Sequence, residues 1–363
     1  MARIVYGVCG EGHGHALRSQ AVIEHLKEAG HELLILASNK AYRVYQDLFD
    51  NLHEIHGFKV VYENNEVKSF SSVLDNLSSL PKGAAESIRK IRELFQDFSP
   101  QLCITDFEPY TSYLAQNRGI PCLAIDNISI VDKAHIEHNR DYGDLLVARA
   151  IAGFMVPFAR DYLIPTFFYP EVTSRRVKLV QPVFRKEIIQ AKREGRTGGN
   201  GKPGKAEDKG HVLVYQTSDS NTNLLDLLKG VNKRFYIYGF DRDKEEENLH
   251  FRPFSQKQMV EDLAKADAVI TNGGFTLMSE AIYLGKPVLA EPVGKQFEQH
   301  VNSFYLNKLG IGAYTERMSL SVLLFFLSRL EEYRSRLSLM RFDDNRSLLR
   351  LIDDKVAEYL SGE

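Results

Sequence analysis

Short apolar runs closed by glycine or polar residues recur along the chain, and stretches with apolar positions at helical spacing lie between them. Ile4 to Val8 (IVYGV) predicts a buried strand. A helix is expected over Ala16 to Ala29, where Leu17, Ala21, Val22, Leu26 and Ala29 share a face and Gly30 closes the element. Glu32 to Ala37 (ELLILA) is the next strand, and strand, helix and strand in this order open a doubly wound domain. Further strands are expected at Val60 to Tyr62, Leu102 to Phe107, Ile120 to Ile125 and Val177 to Val180. The serine-rich Ser69 to Pro81 reads as a loop, and Ala84 to Phe98 as a helix. The apolar stretch Leu145 to Tyr169 is interrupted by Arg149, Arg160 and Asp161 and broken by Pro157 and Pro165, so it does not read as a membrane span. It is expected to be a buried helix pair, with the apolar stripe of Tyr142 to Ala159 in the core; the alternative is a surface that touches lipid.

The second half repeats the pattern. Arg193 to Gly210 (REGRTGGNGKPGKAEDKG) has no apolar residue but Ala206 and reads as a flexible segment. Strands follow at His211 to Gln216, Arg234 to Gly239 and Asp267 to Thr271, with helices at Thr222 to Leu228 and Gln256 to Ala266. Ser319 to Leu339 and Asn345 to Leu360 are amphipathic and helical. The division expected is an α/β domain over 1–185, a linker or loop over 186–210, a second α/β domain over 211–345 and a terminal helix over 346–363.

Composition narrows the partners. A chain of 363 residues is long for one core and comfortable for two. Its 44% hydrophobic and 26% charged content is that of an ordinary globular protein. A formal net charge of −2 gives no basic bias toward nucleic acid. Cys9, Cys103 and Cys122 lie in or beside strand-like runs, without framework spacing, and read as reduced thiols. With no signal peptide read at the start, a cytoplasmic location is expected.

Candidate chemistry concentrates where predicted strands end. Asp267 to Thr271 runs into Asn272-Gly273-Gly274, and Thr276 opens a helix that Gly285 closes before Pro287. The glycines allow a sharp turn and close approach of a ligand, and the free amides of a helix start form an anion site. Glu280 lies one helical turn after Thr276 and is placed to accept from sugar hydroxyls. The alternative is a plain tight turn followed by a solvated Glu. In the first domain, Gly10-x-Gly12 does not fit a dinucleotide fingerprint, because His15 stands where the third glycine belongs and no acid ends the second strand. His13 and His15 instead stand outside the carboxyl end of the first strand, where doubly wound sheets bind ligands. Asp106 ends a strand expected to lie beside the first, within reach of that loop. A carboxylate there fixes a histidine tautomer and stabilises the imidazolium. The alternative is that Asp106 caps its own helix at Pro109.

The block from Asn272 to Asn302, with Glu280, then Gly285-Lys286-Pro287, then Glu298-Gln299 before Asn302, resembles the nucleotide-sugar site of GT-B glycosyltransferases. It is similar to the group containing the UDP-glycosyltransferases and the peptidoglycan N-acetylglucosaminyl transferase. The resemblance implies two Rossmann-like domains facing across a cleft, the second holding a nucleotide-sugar donor and the first an acceptor, either a lipid or a small molecule. It implies His15 as base with Asp106 behind it, His13 as the alternative base, and inverting hexosyl transfer. Donor contacts are implied for Asn272, Gly273, Gly274, Thr276, Glu280, Glu298 and Gln299, with Ser218 and Phe254 as further candidates. No metal or cofactor is implied, the helix start taking the diphosphate charge, and the last helix would cross back to the first domain. Two departures stand out: Arg18 where the family commonly has Pro, and Asn272 where many relatives have His. A nucleotide-sugar hydrolase or epimerase, or a non-catalytic sugar-nucleotide binder, would use the same fold.

Overall fold

The computed structural model describes residues 1–57, 62–63, 66–67, 71–197, 210–216 and 222–362. It divides into two compact units: residues 1–61, 68–183 and 343–363 form the first, and residues 62–67 and 184–342 the second. No helix among the described residues is long and apolar enough to cross a membrane.

The chain forms strands β1 (Arg3–Val8), β2 (Glu32–Ala37), β3 (Leu52–Glu54), β4 (Tyr62–Glu63), β5 (Glu66–Val67), β6 (Leu102–Asp106), β7 (Cys122–Ile125), β8 (Asp161–Pro165) and β9 (Val177–Val180). All but β4 and β5, which pair as a short antiparallel ribbon, make one sheet in the order β3-β2-β1-β6-β7-β8-β9. Every pairing in it is parallel. The β1, β2, β6 and β7 runs are almost wholly buried, as parallel strands covered on both faces must be. Register places Val8 opposite both Ala37 and Asp106, so β1 and β6 end side by side.

The second unit repeats the design with β10 (His211–Tyr215), β11 (Arg234–Tyr238), β12 (Lys244–Glu246), β13 (Leu249–Phe251), β14 (Ala268–Thr271), β15 (Val288–Ala290) and β16 (Gly312–Tyr314). Their order is β12-β13-β11-β10-β14-β15-β16, with only the β12 edge antiparallel. Both sheets thus have the doubly wound order, with the first strand central.

The last helix, Arg346–Ser361, belongs to the first unit. Leu348, Ile352, Val356 and Tyr359 join the cluster built on β1, β2 and the helix Gly14–Glu28. Its end is fixed by the Tyr359 hydroxyl, which donates to Asp161 Oδ2 at 2.6 Å.

Three expectations fail. Ser71–Phe98 is one helix, so most of the serine-rich stretch read as a loop is helical. Serine does not forbid a helix; its weak propensity is overridden when the flanking residues continue the pattern. The buried helix pair over Leu145 to Tyr169 is a single helix, Tyr142–Met155, followed by strand β8. Pro157 stops the helix, and the Tyr162-Leu163-Ile164 run suits a strand covered on both faces. That helix also does not turn its apolar stripe inward: Leu145, Ala152 and Met155 are buried, but Leu146 and Phe154 are each 52% exposed. Of the strand expected at Val60 to Tyr62 only Tyr62 lies among the described residues, in β4. In the stretch read as flexible, residues 193–197 end the helix Lys186–Thr197, and residues 198–209 lie outside the described residues.

Candidate functional site

In the first unit the site begins with the loop after β1. A Cβ on Gly10 would fall 1.9 Å from the Ser38 carbonyl oxygen, and its amide donates to the Ser38 hydroxyl oxygen at 2.9 Å. Gly12 has φ +77°. Gly10 therefore serves the close passage of the loop past the end of β2, and Gly12 its left-handed turn. His13 takes the N-cap position of the helix Gly14–Glu28, without a side-chain cap bond, and His15 lies in its first turn.

His15 Nδ1 is 2.8 Å from Asp106 Oδ1, within a buried site, and Asp106 is fully buried. The helix after β6, Pro109–Asn117, is capped instead by Glu108, which accepts from the amides of Tyr110 at 2.7 Å and Thr111 at 2.9 Å. Asp106 is thereby left for the histidine loop. It also receives Arg18 Nε at 2.8 Å and the Ser19 hydroxyl at 2.7 Å on Oδ2, and Arg18 Nη2 on Oδ1. Arg18 Nη1 donates to Asn127 Oδ1 at 2.7 Å, which ties the end of β7 to the same network. Burial pushes the Asp106 carboxyl up, but the Arg18 guanidinium, then His15, outweigh it and hold the pKa at about 2. Asp106 is therefore an anion at neutral pH.

Phe107, between Asp106 and the cap, has φ +56°, a conformation that is an outlier for a bulky side chain. The bend stacks its ring on His15, with centroids 6.2 Å apart and planes 23° apart. Phe107 also lines a narrow open cleft with Cys9, Ile55, His56, Tyr110 and Met155. The Tyr110 hydroxyl beside it is buried with no hydrogen-bond partner among the described residues. Burial, then the Glu108 carboxylate, push that phenol up to about 12, and burial likewise pushes the Cys9 thiol up to about 12, so both are protonated.

At the end of β7, Asp126 accepts from the Ser129 amide at 2.7 Å and its hydroxyl at 2.9 Å. Burial, then the charge on Asp106, raise its carboxyl to about 6 from 3.8. A raised acid is bound more readily by a proton in the folded chain. Its contribution to stability is present below pH 4 and lost as pH rises through 6. Asp126→Asn keeps an acceptor for the amide and removes the charge. It is expected to stabilise the protein by on the order of 1–3 kcal/mol at pH 8 and to change little at pH 4. Chemical denaturation at the two pH values checks this; an equal effect at both would show that the charge is not responsible.

In the second unit the glycine turn follows β14. Gly273 has φ +87°, and a Cβ there would sit 2.6 Å from the Ser303 hydroxyl and 2.9 Å from the Gln299 carbonyl oxygen. Gly274 is the N-cap of the helix Phe275–Tyr283, and a Cβ there would meet nothing within 4 Å. The turn is thus pressed on one side against the helix Phe297–Lys308 and open at the N-cap. Thr276 is buried in the helix's first turn.

The remaining donor candidates chiefly hold this turn in place. Asn272 donates to Gln216 Oε1 and the Glu291 carbonyl, both at 3.1 Å. Gln299 accepts from the Val293 amide at 2.9 Å, and Glu298 from Asn302 at 3.1 Å, while Asn302 also donates to the Gly273 carbonyl at 3.2 Å. Phe254 lies in the turn between β13 and the helix Gln256–Lys265, half-buried, at the same carboxyl edge of the sheet. Ser218 lies outside the described residues.

Glu280, expected to accept from sugar hydroxyls, is held by an arginine of its own unit. It is not solvated but 1% exposed, and Arg185 Nε and Nη2 grip its Oε1 and Oε2, each at 2.7 Å. A ribose would have to use the lone pairs that Arg185 leaves. Arg185 is separated from Glu280 by 95 residues, so no local signal paired them. Glu108 as cap was also missed, since Glu is a poor cap; the signal available was Pro109 at the first helical position.

The model of glycosyl transferase family 1 matches residues 2–331. An uncharacterized glycosyltransferase of Methanosarcina mazei is 26% identical over 352 residues, covering 87% of this chain and 86% of that protein. Among solved structures, a Polygonum tinctorium UDP-glucosyltransferase capable of glucosylating indoxyl superposes with TM-score 0.67 at 13% identity, covering 100% of this chain and 99% of its own. Acinetobacter baumannii MurG superposes with TM-score 0.59 at 14% identity, covering 98% and 100%. At these identities the structures speak for the fold, two Rossmann-like units of the GT-B type.

Proposed function

Because the chain belongs to glycosyl transferase family 1, we propose that it moves a hexosyl group from a nucleotide sugar to an acceptor hydroxyl in one displacement with inversion. The observation that carries the reading is the 2.8 Å hydrogen bond between His15 and Asp106, with Glu108 relieving Asp106 of the capping role. A binding protein without chemistry has no need of a buried carboxylate behind a histidine.

The first unit takes the acceptor. In the tautomer that carries its proton on Nδ1, directed at Asp106, Nε2 of His15 accepts the hydroxyl proton as the oxygen attacks the anomeric carbon. The bond from that carbon to the diphosphate oxygen breaks, and its electron pair leaves with the nucleotide. The second unit takes the donor. The amides at Gly273 and Gly274 and the positive end of the helix Phe275–Tyr283 meet the diphosphate, so the step runs without a divalent ion. Thr276, Glu298 and Gln299 serve the donor around that turn, and Glu280 acts through Arg185 rather than on the sugar. The acceptor is a hydroxyl compound that comes to the first unit beside the Phe107–Tyr110 cleft, where the buried Tyr110 hydroxyl supplies a polar anchor. The three buried free thiols fit a reducing, cytoplasmic setting.

A thermal-shift screen against UDP, GDP, CMP and dTDP sugars, with NAD and NADP as controls, tests the donor. A ligand at one hundred times its dissociation constant stabilises the fold by about 2.7 kcal/mol. One nucleotide sugar is expected to stabilise the protein, equally in EDTA. A response to NAD or NADP alone would return the Gly10–Gly14 loop to the dinucleotide class.

A further inference from the structure

We propose that Arg18 is a positioning residue for proton transfer: it takes up the charge of Asp106, so that His15 works as a neutral base without full reinforcement from the carboxylate. The inference rests on the reading of His15 as the base.

A lone carboxylate behind a histidine raises its basicity, because the imidazolium forms beside an uncompensated negative charge. Here that charge is already compensated. Arg18 binds both oxygens of Asp106, and its Nη2 shares Oδ1 with His15 and approaches Nδ1 at 2.7 Å. His15 therefore faces an ion pair of no net charge, with the cationic end as close as the anionic one. Protonating the ring would set two cations side by side in a site where Arg18 is 4% and His15 8% exposed. The same fork fixes the ring: Arg18 spans Asp106 and Asn127, so the ends of β6 and β7 and the first turn of the helix Gly14–Glu28 move together.

Other titratable groups stand around the network. Burial keeps the phenols of Tyr6, on β1, and Tyr45, on the helix Asn39–Tyr45, protonated. Burial raises the carboxyls of Glu108, which accepts from the amides of Tyr110 and Thr111, and of Asp126, which accepts from Ser129, and so favours their neutral forms. Glu11, in the loop before the histidines, acts on Cys9. A base without carboxylate reinforcement suits an acceptor hydroxyl that is itself fairly acidic, a phenol or enol rather than an alkyl alcohol. Phe107 and Tyr110 in the adjoining cleft offer aromatic rings to such a compound.

The test is an NMR titration of the full chain carrying nitrogen-labelled histidine, with the His15 signal assigned by its loss in His15→Gln. Arg18→Met, and Arg18→Gln in case the apolar variant does not fold, are expected to raise the His15 titration midpoint by about 1–2 pH units. Arg18→Lys, which keeps the cation, is expected to leave it near that of the unaltered protein. An unmoved midpoint in the neutral variants, or a rise in Arg18→Lys as large as in Arg18→Gln, would overturn the proposal. The readout needs no substrate. Failure of every nucleotide sugar to stabilise the protein counts against glycosyl transfer, whereas an unmoved titration counts against Arg18 alone.

Discussion

Replacing His15 by Gln is expected to lower turnover by about 10²–10⁴-fold, the usual contribution of a positioned general base, while leaving the affinity for the donor nucleotide unchanged. Gln is the informative choice. Its amide can still donate to Asp106, so the buried carboxylate keeps a partner and the fold is spared the cost of an unpaired acceptor. What disappears is the ring nitrogen that takes the acceptor proton. The residues proposed to bind the donor all belong to the second unit, and His15 to the first. Nucleotide release is the readout for turnover, and calorimetric titration with the free nucleotide the readout for affinity. Full turnover in His15→Gln would sink the base assignment and move attention to His13, two residues earlier at the helix N-cap. A parallel loss of nucleotide affinity would mean that the first unit contributes to donor binding.

The pairing of His15 with Asp106 was legible because it follows from topology. Once β1 and β6 are read as neighbours in a parallel sheet, their last residues must emerge side by side, and register confirms this for Val8 and Asp106. The helix Tyr142–Met155 was not legible, since periodicity marks an apolar stripe without saying what covers it. Leu146 and Phe154 face out although their spacing is that of a core helix. Side-chain ion pairs are harder still. Arg18 was visible only as a departure from the family pattern, and nothing near it in sequence shows that Asp106, 88 residues on, binds it through both oxygens. Glu280 carried a motif that resembles a donor site, and the structure gives both its oxygens to an arginine 95 residues earlier in the same unit. Motifs name residue types at a spacing; which lone pairs remain is settled by long-range packing.

Glu280→Ala is expected to destabilise the second unit by about 3–5 kcal/mol, because it strands Arg185 as a buried, unpaired cation. Both partners are nearly inaccessible, with side chains 3% and 2% exposed, and the contact is bidentate. Removing one partner leaves the desolvation cost of the other with nothing to offset it. The pair itself need not be worth that much: replacing both partners by apolar residues of similar size is often neutral. The double variant Arg185→Met with Glu280→Leu should therefore regain most of the stability lost in Glu280→Ala, as read by circular dichroism during chemical denaturation. Nucleotide affinity then decides the role of Glu280. If it only holds the helix Phe275–Tyr283 in place through Arg185, the double variant binds the nucleotide within a few-fold of the original. A stable double variant that has lost about 1–3 kcal/mol of nucleotide affinity, the worth of a hydrogen bond to a charged group, would place the ribose on the lone pairs that Arg185 leaves. The burial of Glu280 favours the first outcome, since a carboxylate 1% exposed reaches a ligand only if the helix or Arg185 moves.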